Sequence, residues 1–358
     1  MNKLKLTDLG LTTEFSEQIK AEDISEFTVG RIILEHRERY IVSDGDNEYF
    51  AEITGNLRFS ANSRADFPAV GDWVVMKIYD SDQAIIHKIL PRRSVLARPA
   101  IGKYGEVQII SANIDVAFIV QAINNNFSIN RLERYLTLCY SSGIEPVMVV
   151  SKTDLSTSEE IENAISNLEK RDKRIKYILL SNITLSGLDQ ILDFIQKGKT
   201  YCVVGSSGVG KSTLINNLLK REVLKTGQIS HSTNKGRHIT DHRELFVLEN
   251  GGIIIDTPGM KEVGITDNIE GIKTTFNEIY NISLNCRFTD CKHIDESGCA
   301  VIEALTTGII DRDSFDNYQK IQKEQERFQA TVAEKRKKDK VFGKMIKNYH
   351  KENKDNKQ

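Results

Sequence analysis

Gly205-Ser206-Ser207-Gly208-Val209-Gly210-Lys211-Ser212 satisfies the spacing G-x-x-x-x-G-K-[ST]. An apolar run, Tyr201 to Val204, leads into it, and a helix-forming run, Thr213 to Leu219, leaves it. That context gives the pattern its chemistry. Glycines let successive backbone N–H groups converge on phosphate oxygens at a helix N-terminus, where the dipole favours negative charge. Lys211 is expected to contact the β- and γ-phosphates and Ser212 to ligate Mg²⁺. Gly205, Ser206, Ser207, Gly208, Val209, Gly210 and Thr213 complete the phosphate-contacting stretch.

Around this loop the chain alternates strand and helix. Val116 to Gln121 and Pro146 to Val150 are continuous apolar runs, the pattern of strands buried on both faces. A helix is expected over Asn130 to Ser142, with Asn130 as N-cap, and another over Ser158 to Lys170. Strand Lys176 to Leu180, helix Gly187 to Ile195, and strands Glu244 to Leu248 and Gly252 to Ile255 continue the rhythm. The pattern predicts a parallel or mixed sheet covered by helices.

Ser151-Lys152-Thr153-Asp154 follows one of the buried strands, at the edge where open α/β sheets bind ligands. A carboxylate at Asp154 can accept from guanine N1–H and from its exocyclic amine, whereas adenine presents a lone pair there. The Lys152 stem would pack on the base face. Asp256-Thr257-Pro258-Gly259 ends another apolar strand; Asp256 could hold Mg²⁺ through water, and Gly259 N–H could sense the γ-phosphate. Between these motifs, Gly227 to Asp241 is polar and aperiodic and contains Thr240, a candidate second Mg²⁺ ligand.

The flanks differ from this centre. Thr28 to Glu35, Arg39 to Ser43, Glu48 to Thr54, Asp72 to Tyr79 and Ala84 to Leu90 are short strand-like runs separated by turn residues. They suggest a small barrel, OB-fold or SH3-like. Arg92 to Gly105, with Arg92, Arg93, Arg98 and Lys103, reads as a basic linker and a source of phosphate contacts. Cys286, Cys291, His293 and Cys299 fall within fourteen residues, and three thiolates with an imidazole suit a closed, structural, tetrahedral Zn²⁺ site. Cys139 and Cys202 lie in apolar patterns and are expected in the core; His231, His242 and His350 are expected on the surface. A short helix over Ala300 to Thr306 and a long charged one from about Ser314 complete the chain.

The 358 residues carry a net charge of −1, with 39% hydrophobic and 28% charged residues, which fits a soluble folded protein of roughly two or three domains. From Lys320 onward there are 13 Lys and Arg against 6 Asp and Glu, a basic tail suited either to a phosphate polymer or to solvent. Five Cys is too odd and sparse a count for a secreted disulfide scaffold. Met1 to Phe15 lacks a signal-peptide pattern, and no run approaches the roughly 18 apolar residues needed to span a bilayer. A cytoplasmic protein without membrane contact is expected.

Phosphate loop, switch segment, Asp-Thr-Pro-Gly and base-reading motif together resemble a GTPase in permuted order, because Ser151 to Asp154 and the Leu180-Ser181-Asn182 loop precede the phosphate loop. With Gly236-Arg237-His238 in the switch, a barrel in front and a Cys/His module behind, the chain resembles the RsgA/YjeQ family of circularly permuted, small-ribosomal-subunit-dependent GTPases. The resemblance covers about Thr28 to Tyr318. It implies an OB-fold (1–91, with an N-terminal extension), a basic linker (92–111), a permuted α/β P-loop GTPase (112–275) and a small helical zinc domain with a basic tail (276–358). It further implies action in late maturation of the small ribosomal subunit, bound to its RNA; a monomer is expected. Ser181 and Asn182 would join Ser151, Lys152, Thr153 and Asp154 in binding GTP or GDP.

Two departures stand out. The family's usual Asn-Lys-x-Asp has Ser151 in place of Asn, which predicts weaker contacts around the base pocket. After Gly-Arg-His the family usually runs through several Thr, whereas here only Thr240 remains, between Ile239 and Asp241, which leaves it the sole nearby Mg²⁺ candidate. Met260 follows Gly259, where Ras-like enzymes carry a water-orienting Gln, so His238 becomes the internal candidate for that role; Lys211, on the phosphates, and Thr240, on Mg²⁺, are the other expected catalytic residues. Two other classes compete with a GTP hydrolase. A nucleotide kinase or ATP-driven motor is opposed by Asp154, and an RNA-binding zinc protein with a regulatory nucleotide site of little turnover is opposed by intact Lys211, Ser212 and Asp256. The permuted order also brings the second switch within about 30 residues of the C-terminal module, so nucleotide state is expected to reorient that module.

Overall fold

The computed structural model describes residues 4–20, 26–36, 38–100, 105–123, 127–171, 174–224, 243–257, 264, 266 and 269–355. Helix α1 (Thr13–Lys20) precedes five strands: β1 (Thr28–His36), β2 (Arg39–Ser43), β3 (Glu48–Ile53), β4 (Trp73–Asp80) and β5 (Gln83–Ile89). A short helix, α2 (Gly55–Ser60), lies between β3 and β4, capped by Thr54, whose Oγ1 accepts from Leu57 N at 3.1 Å. The strands close in the order β1-β2-β3-β5-β4-β1, with β3 parallel to β5 and the other pairs antiparallel. An antiparallel meander cannot make that parallel pair; the Greek-key path of an OB-fold does. In β3, Tyr49, Ala51 and Ile53 point inward and are buried, while Phe50 points outward. Helix α1 was not legible in the sequence; its Phe15 packs against Trp73, with ring centroids 6.0 Å apart.

The expected basic linker is largely a hairpin. Strands β6 (Val95–Pro99) and β7 (Val107–Ala112) pair antiparallel. Arg92 does not face solvent: Nε and Nη2 donate to the two oxygens of Asp72 at 2.8 and 2.7 Å, and the same guanidinium donates to Ala65 O and Phe67 O. With the Asp72 side chain wholly buried, this Arg is committed to holding the barrel base and not to phosphate. Arg93 reaches Asp115 and Arg98 reaches Gln108; Lys103 lies outside the described residues.

The central sheet contains β8 (Val116–Ala122), β9 (Glu145–Ser151), β10 (Lys176–Leu180), β11 (Thr200–Gly205), β12 (Arg243–Val247) and β13 (Ile253–Asp256), ordered β10-β9-β8-β11-β13-β12. All are parallel except β12. Its helices are α3 (Ile129–Ser141), α4 (Ser158–Arg171), α5 (Leu188–Phe194) and α6 (Lys211–Leu219). Ala117, Ile119, Met148 and Val150 pack with Leu132 and Leu136 of α3 on one face. Phe118, Val120, Val147 and Val149 pack with Ile191 of α5 and Leu214 and Ile215 of α6 on the other. Burial on both faces is why these strands read as unbroken apolar runs. Cys139 and Cys202 are buried in this core. The N-cap of α3 is Ser128, whose Oγ accepts from Arg131 N, and not Asn130, which sits one residue inside the helix.

Barrel and central sheet are one sheet. β1 pairs antiparallel with β12, Leu34 opposite Glu244 and Glu35 opposite Arg243. Buried Arg31 strengthens the junction: its guanidinium donates to Leu9 O, Gly71 O and Asn113 O and lies over Trp73. The C-terminal module comprises α7 (Ile269–Thr275), α8 (Asn277–Ser283), α9 (Ala300–Thr306) and the 44-residue α10 (Arg312–Asp355) around Ile272, Phe276, Val301, Phe315 and Tyr318. It docks on α3. Gly271 sits where a Cβ would come within 2.0 Å of Thr137 O, Asn317 Nδ2 donates to Glu133 Oε2 at 2.5 Å, and Arg134 pairs with Glu324.

Candidate nucleotide and metal sites

The phosphate loop runs from the end of β11 to the start of α6 at the C-terminal edge of the parallel strands. Gly205, Gly208 and Gly210 have φ of 147°, 78° and 99°, and a Cβ on Gly205 would lie 2.3 Å from Val120 O. Both the backbone conformation and the close approach require glycine there. Lys211, Ser212 and Thr213 form the first turn of α6, with Ser206 and Ser207 in the loop and Val209 buried beneath it. Lys211 Nζ donates to Gly205 O at 2.8 Å and Ser206 O at 2.7 Å, which curls the ammonium over the loop. Burial pushes the Lys211 pKa down to about 8, and nearby Asp256 opposes the shift. An arriving phosphate anion would restore the charged form.

Three further edges converge on this loop. Asp256 ends β13 opposite Val203 of β11, and Thr257 Oγ1 donates to Val203 O at 2.8 Å, fixing where the chain leaves the sheet. Ser151, the last residue of β9, is fully buried, and its hydroxyl donates to Val209 O at 2.7 Å. The base-reading segment is thereby bonded to the phosphate loop. Lys152 adopts the left-handed conformation (φ 62°) and starts a 3₁₀ turn, Thr153–Leu155, that presents Asp154 to solvent. Ser181, buried after β10, accepts from Ile183 N and Thr184 N, and Asn182 Nδ2 donates to Gly210 O at 3.1 Å. Ser151, Asn182 and the phosphate loop thus form one connected unit. Thr240, His238, Gly259 and Met260 lie outside the described residues, as do His231 and His242.

The ligand atoms of Cys286, Cys291, His293 and Cys299 all lie within 4.8 Å of one another. Cys286 Sγ is 3.9 Å from Cys299 Sγ and 3.7 Å from His293 Nδ1, and His293 Nδ1 is 3.4 Å from Cys299 Sγ. Around an ion bound tetrahedrally to sulfur and nitrogen the corresponding edges are about 3.5–3.8 Å, so the four groups can hold one metal ion. Burial lowers the His293 pKa, favouring the neutral imidazole that a metal needs. The Glu296 carboxylate accepts from Lys292 N and Ile294 N at 2.7 and 2.8 Å and shapes the turn that carries His293. Sequence reasoning missed Glu296, and it missed Asn217, which contacts Asn182 from α6. Both act through groups that no spacing rule marks.

Comparison with known proteins agrees with this geometry. Residues 89–266 match the family model described as RsgA GTPase, and residues 200–335 match one described as 50S ribosome-binding GTPase. The chain is 38% identical over 339 residues to the small ribosomal subunit biogenesis GTPase RsgA 1 of Bacteroides thetaiotaomicron, covering 94% of each chain. Its fold is similar to the crystal structure of YjeQ from Thermotoga maritima (TM-score 0.62, 25% identity, 82% of this chain and 97% of that one). It is similar also to YloQ, described as a circularly permuted GTPase (TM-score 0.59, 25% identity, 84% and 97%). Permuted motif order, the barrel joined to the nucleotide sheet and a relative matched almost end to end make this chain a member of the RsgA GTPase family.

Proposed function

We propose that this chain hydrolyses GTP to GDP and phosphate as a switch that engages the small ribosomal subunit during its late maturation. The observation that carries this reading is the Ser151–Val209 hydrogen bond, which brings the base-reading and phosphate-binding motifs into one pocket edge despite their permuted order. That the relative matched over 94% of both chains is a small ribosomal subunit biogenesis GTPase supports the assembly assigned here.

Within that site Lys211 neutralises the β- and γ-phosphates, and the backbone amides of Gly205 to Thr213 orient them. Ser212 and Thr240 would hold Mg²⁺, Asp256 would do so through water, and Gly259 N–H would sense the γ-phosphate. Mg²⁺ bound with GTP supplies charge compensation on the phosphate oxygens. Ser151, Lys152, Thr153, Asp154, Ser181 and Asn182 form the guanine side, and His238 orients the attacking water. The metal cluster takes one structural Zn²⁺, since three thiolates and an imidazole leave no open position for chemistry.

RNA is the partner we assign to the outer surfaces. Phe50 on β3 and Tyr79 on β4 are 64% and 60% exposed, two separate aromatic rings available for stacking on bases. Among the described residues no helix is long and apolar enough to cross a membrane. The protein acts as a monomer in the cytoplasm. GTP hydrolysis measured with and without purified small ribosomal subunits tests the reading, and equal rates would overturn it. An Asp154→Asn variant should turn preference from GTP to XTP; retention of the wild-type preference would remove Asp154 from the base pocket.

A further inference from the structure

Two adjacent carbonyls of the phosphate loop are held from two different loops. Val209 O accepts from Ser151 Oγ, and Gly210 O accepts from Asn182 Nδ2. A hydroxyl brings one proton, so Ser151 satisfies one carbonyl, whereas an asparagine would bring two N–H donors. The amide that reaches the second carbonyl therefore comes from the neighbouring loop. Glycine at 210 makes room for it: a Cβ there would lie 2.6 Å from Asn182 Nδ2.

Asn182 is in turn gripped by the helix that the phosphate loop opens. Asn217 Nδ2, on α6, donates to Asn182 O at 3.2 Å and to Asn182 Oδ1 at 3.3 Å. Donation to Oδ1 leaves the Asn182 NH₂ as the end that faces Gly210, so Asn217 sets both the place and the orientation of that amide. Nothing else on α6 reaches toward the base side through a side-chain hydrogen bond among the described residues.

We propose that Asn217 is a positioning residue for guanine-nucleotide binding, orienting Asn182 so that the 181–184 loop and the phosphate loop stay in register. The inference rests on the GTP reading given above. A nucleotide contacts the phosphate loop at one end and the base loops at the other. Both sets of contacts form together without further ordering only if the two loops are already aligned. Loosening the tether should therefore weaken a whole nucleotide and leave a ligand that touches only the phosphate loop unaffected.

The test measures dissociation constants of wild type, Asn217→Leu, Asn182→Ala and the double variant for GDP, ADP and pyrophosphate, with thermal midpoints alongside. Leucine keeps the approximate size of Asn217 and removes its donor. Loss of one or two neutral hydrogen bonds should weaken GDP about five- to tenfold in each single variant. The double variant should lose no more than Asn182→Ala alone, since the two act in series. Pyrophosphate binding should not change. A guanine-selective wild type whose Asn217→Leu variant binds GDP unchanged overturns the inference alone, as does an equal proportional loss for GDP and pyrophosphate. A wild type that binds ADP as tightly as GDP overturns the guanine reading and this inference with it.

Discussion

Arg243 Nη1 lies 2.8 Å from Glu35 Oε2, so the first residue of β12 is ion-paired to the barrel strand it hydrogen-bonds. The two side chains are only 13% and 20% exposed, and burial raises the Glu35 pKa even though Arg243 pulls it down. Removing Arg243 would leave a carboxylate in a place that already disfavours its charge. Arg243→Met should therefore lower stability by about 1–3 kcal/mol, and Glu35→Gln added to it should recover most of the loss. Urea midpoints of the two singles and the double decide; additive losses would show that the pair is not coupled.

Glu133 should make the docking of α10 depend on pH. Burial pushes its pKa up to about 7, against the pull of the Asn317 amide and Arg171; Asp311 adds to the rise and Ser314 opposes it. A folded-state pKa above the ordinary 4.5 means that folding takes up a proton. The stabilising contribution is complete below about pH 4.5 and is lost as pH rises through about 7. Protection factors in the first turns of α10, that is exchange rates corrected for the intrinsic rise of amide exchange with pH, should be about tenfold higher at pH 6 than at pH 8. Glu133→Gln keeps an oxygen for Asn317 Nδ2 and should flatten that difference.

Removing one thiolate by Cys291→Ser should cut bound zinc and loosen the C-terminal module, because the stretch between α8 and α9 has little core of its own apart from the ligand cluster. Nucleotide binding should survive, since the phosphate loop rests on the central sheet. Metal analysis of both proteins, with GDP titration beside it, checks both halves. Freshly purified wild type without zinc would refute the assignment.

Met260 has no group to orient water, so turnover by the free protein should be slow. Completed sites in other GTPases gain roughly 10³ to 10⁵ in rate. Small subunits should stimulate strongly, and His238→Ala should lose most of that stimulation while still binding GTP. If stimulation persists in the variant, the ribosome supplies the group.

Strands such as Val116–Ala122 were legible because burial on both faces leaves an unbroken apolar run, and the metal cluster because its four ligands are close in sequence. The β6–β7 hairpin was hidden by its composition: Arg, Gly and Pro read as a linker, and a bulge between Leu96 and Ala97 breaks the alternation. Ser151 read as a weakened contact, yet its hydroxyl finds Val209 O. A donor's partner depends on folding, not on spacing. The β1–β12 junction involves only two residue pairs and leaves no local pattern at either end.

That junction has a consequence for how the chain is made. Near Thr28 to Arg31 the edge of β1 is covered by β4, but Leu34 and Glu35 wait for Glu244 and Arg243. At a synthesis rate of about 5–20 residues per second, roughly 210 intervening residues leave that edge open for about 10–40 s on the ribosome. A nascent barrel with an unpaired strand edge is a template for pairing with a neighbouring chain. The last-made strand of the nucleotide sheet but one is thus also the guard of the first-made domain, and a chain stalled before Arg243 would emerge with its oldest domain unprotected.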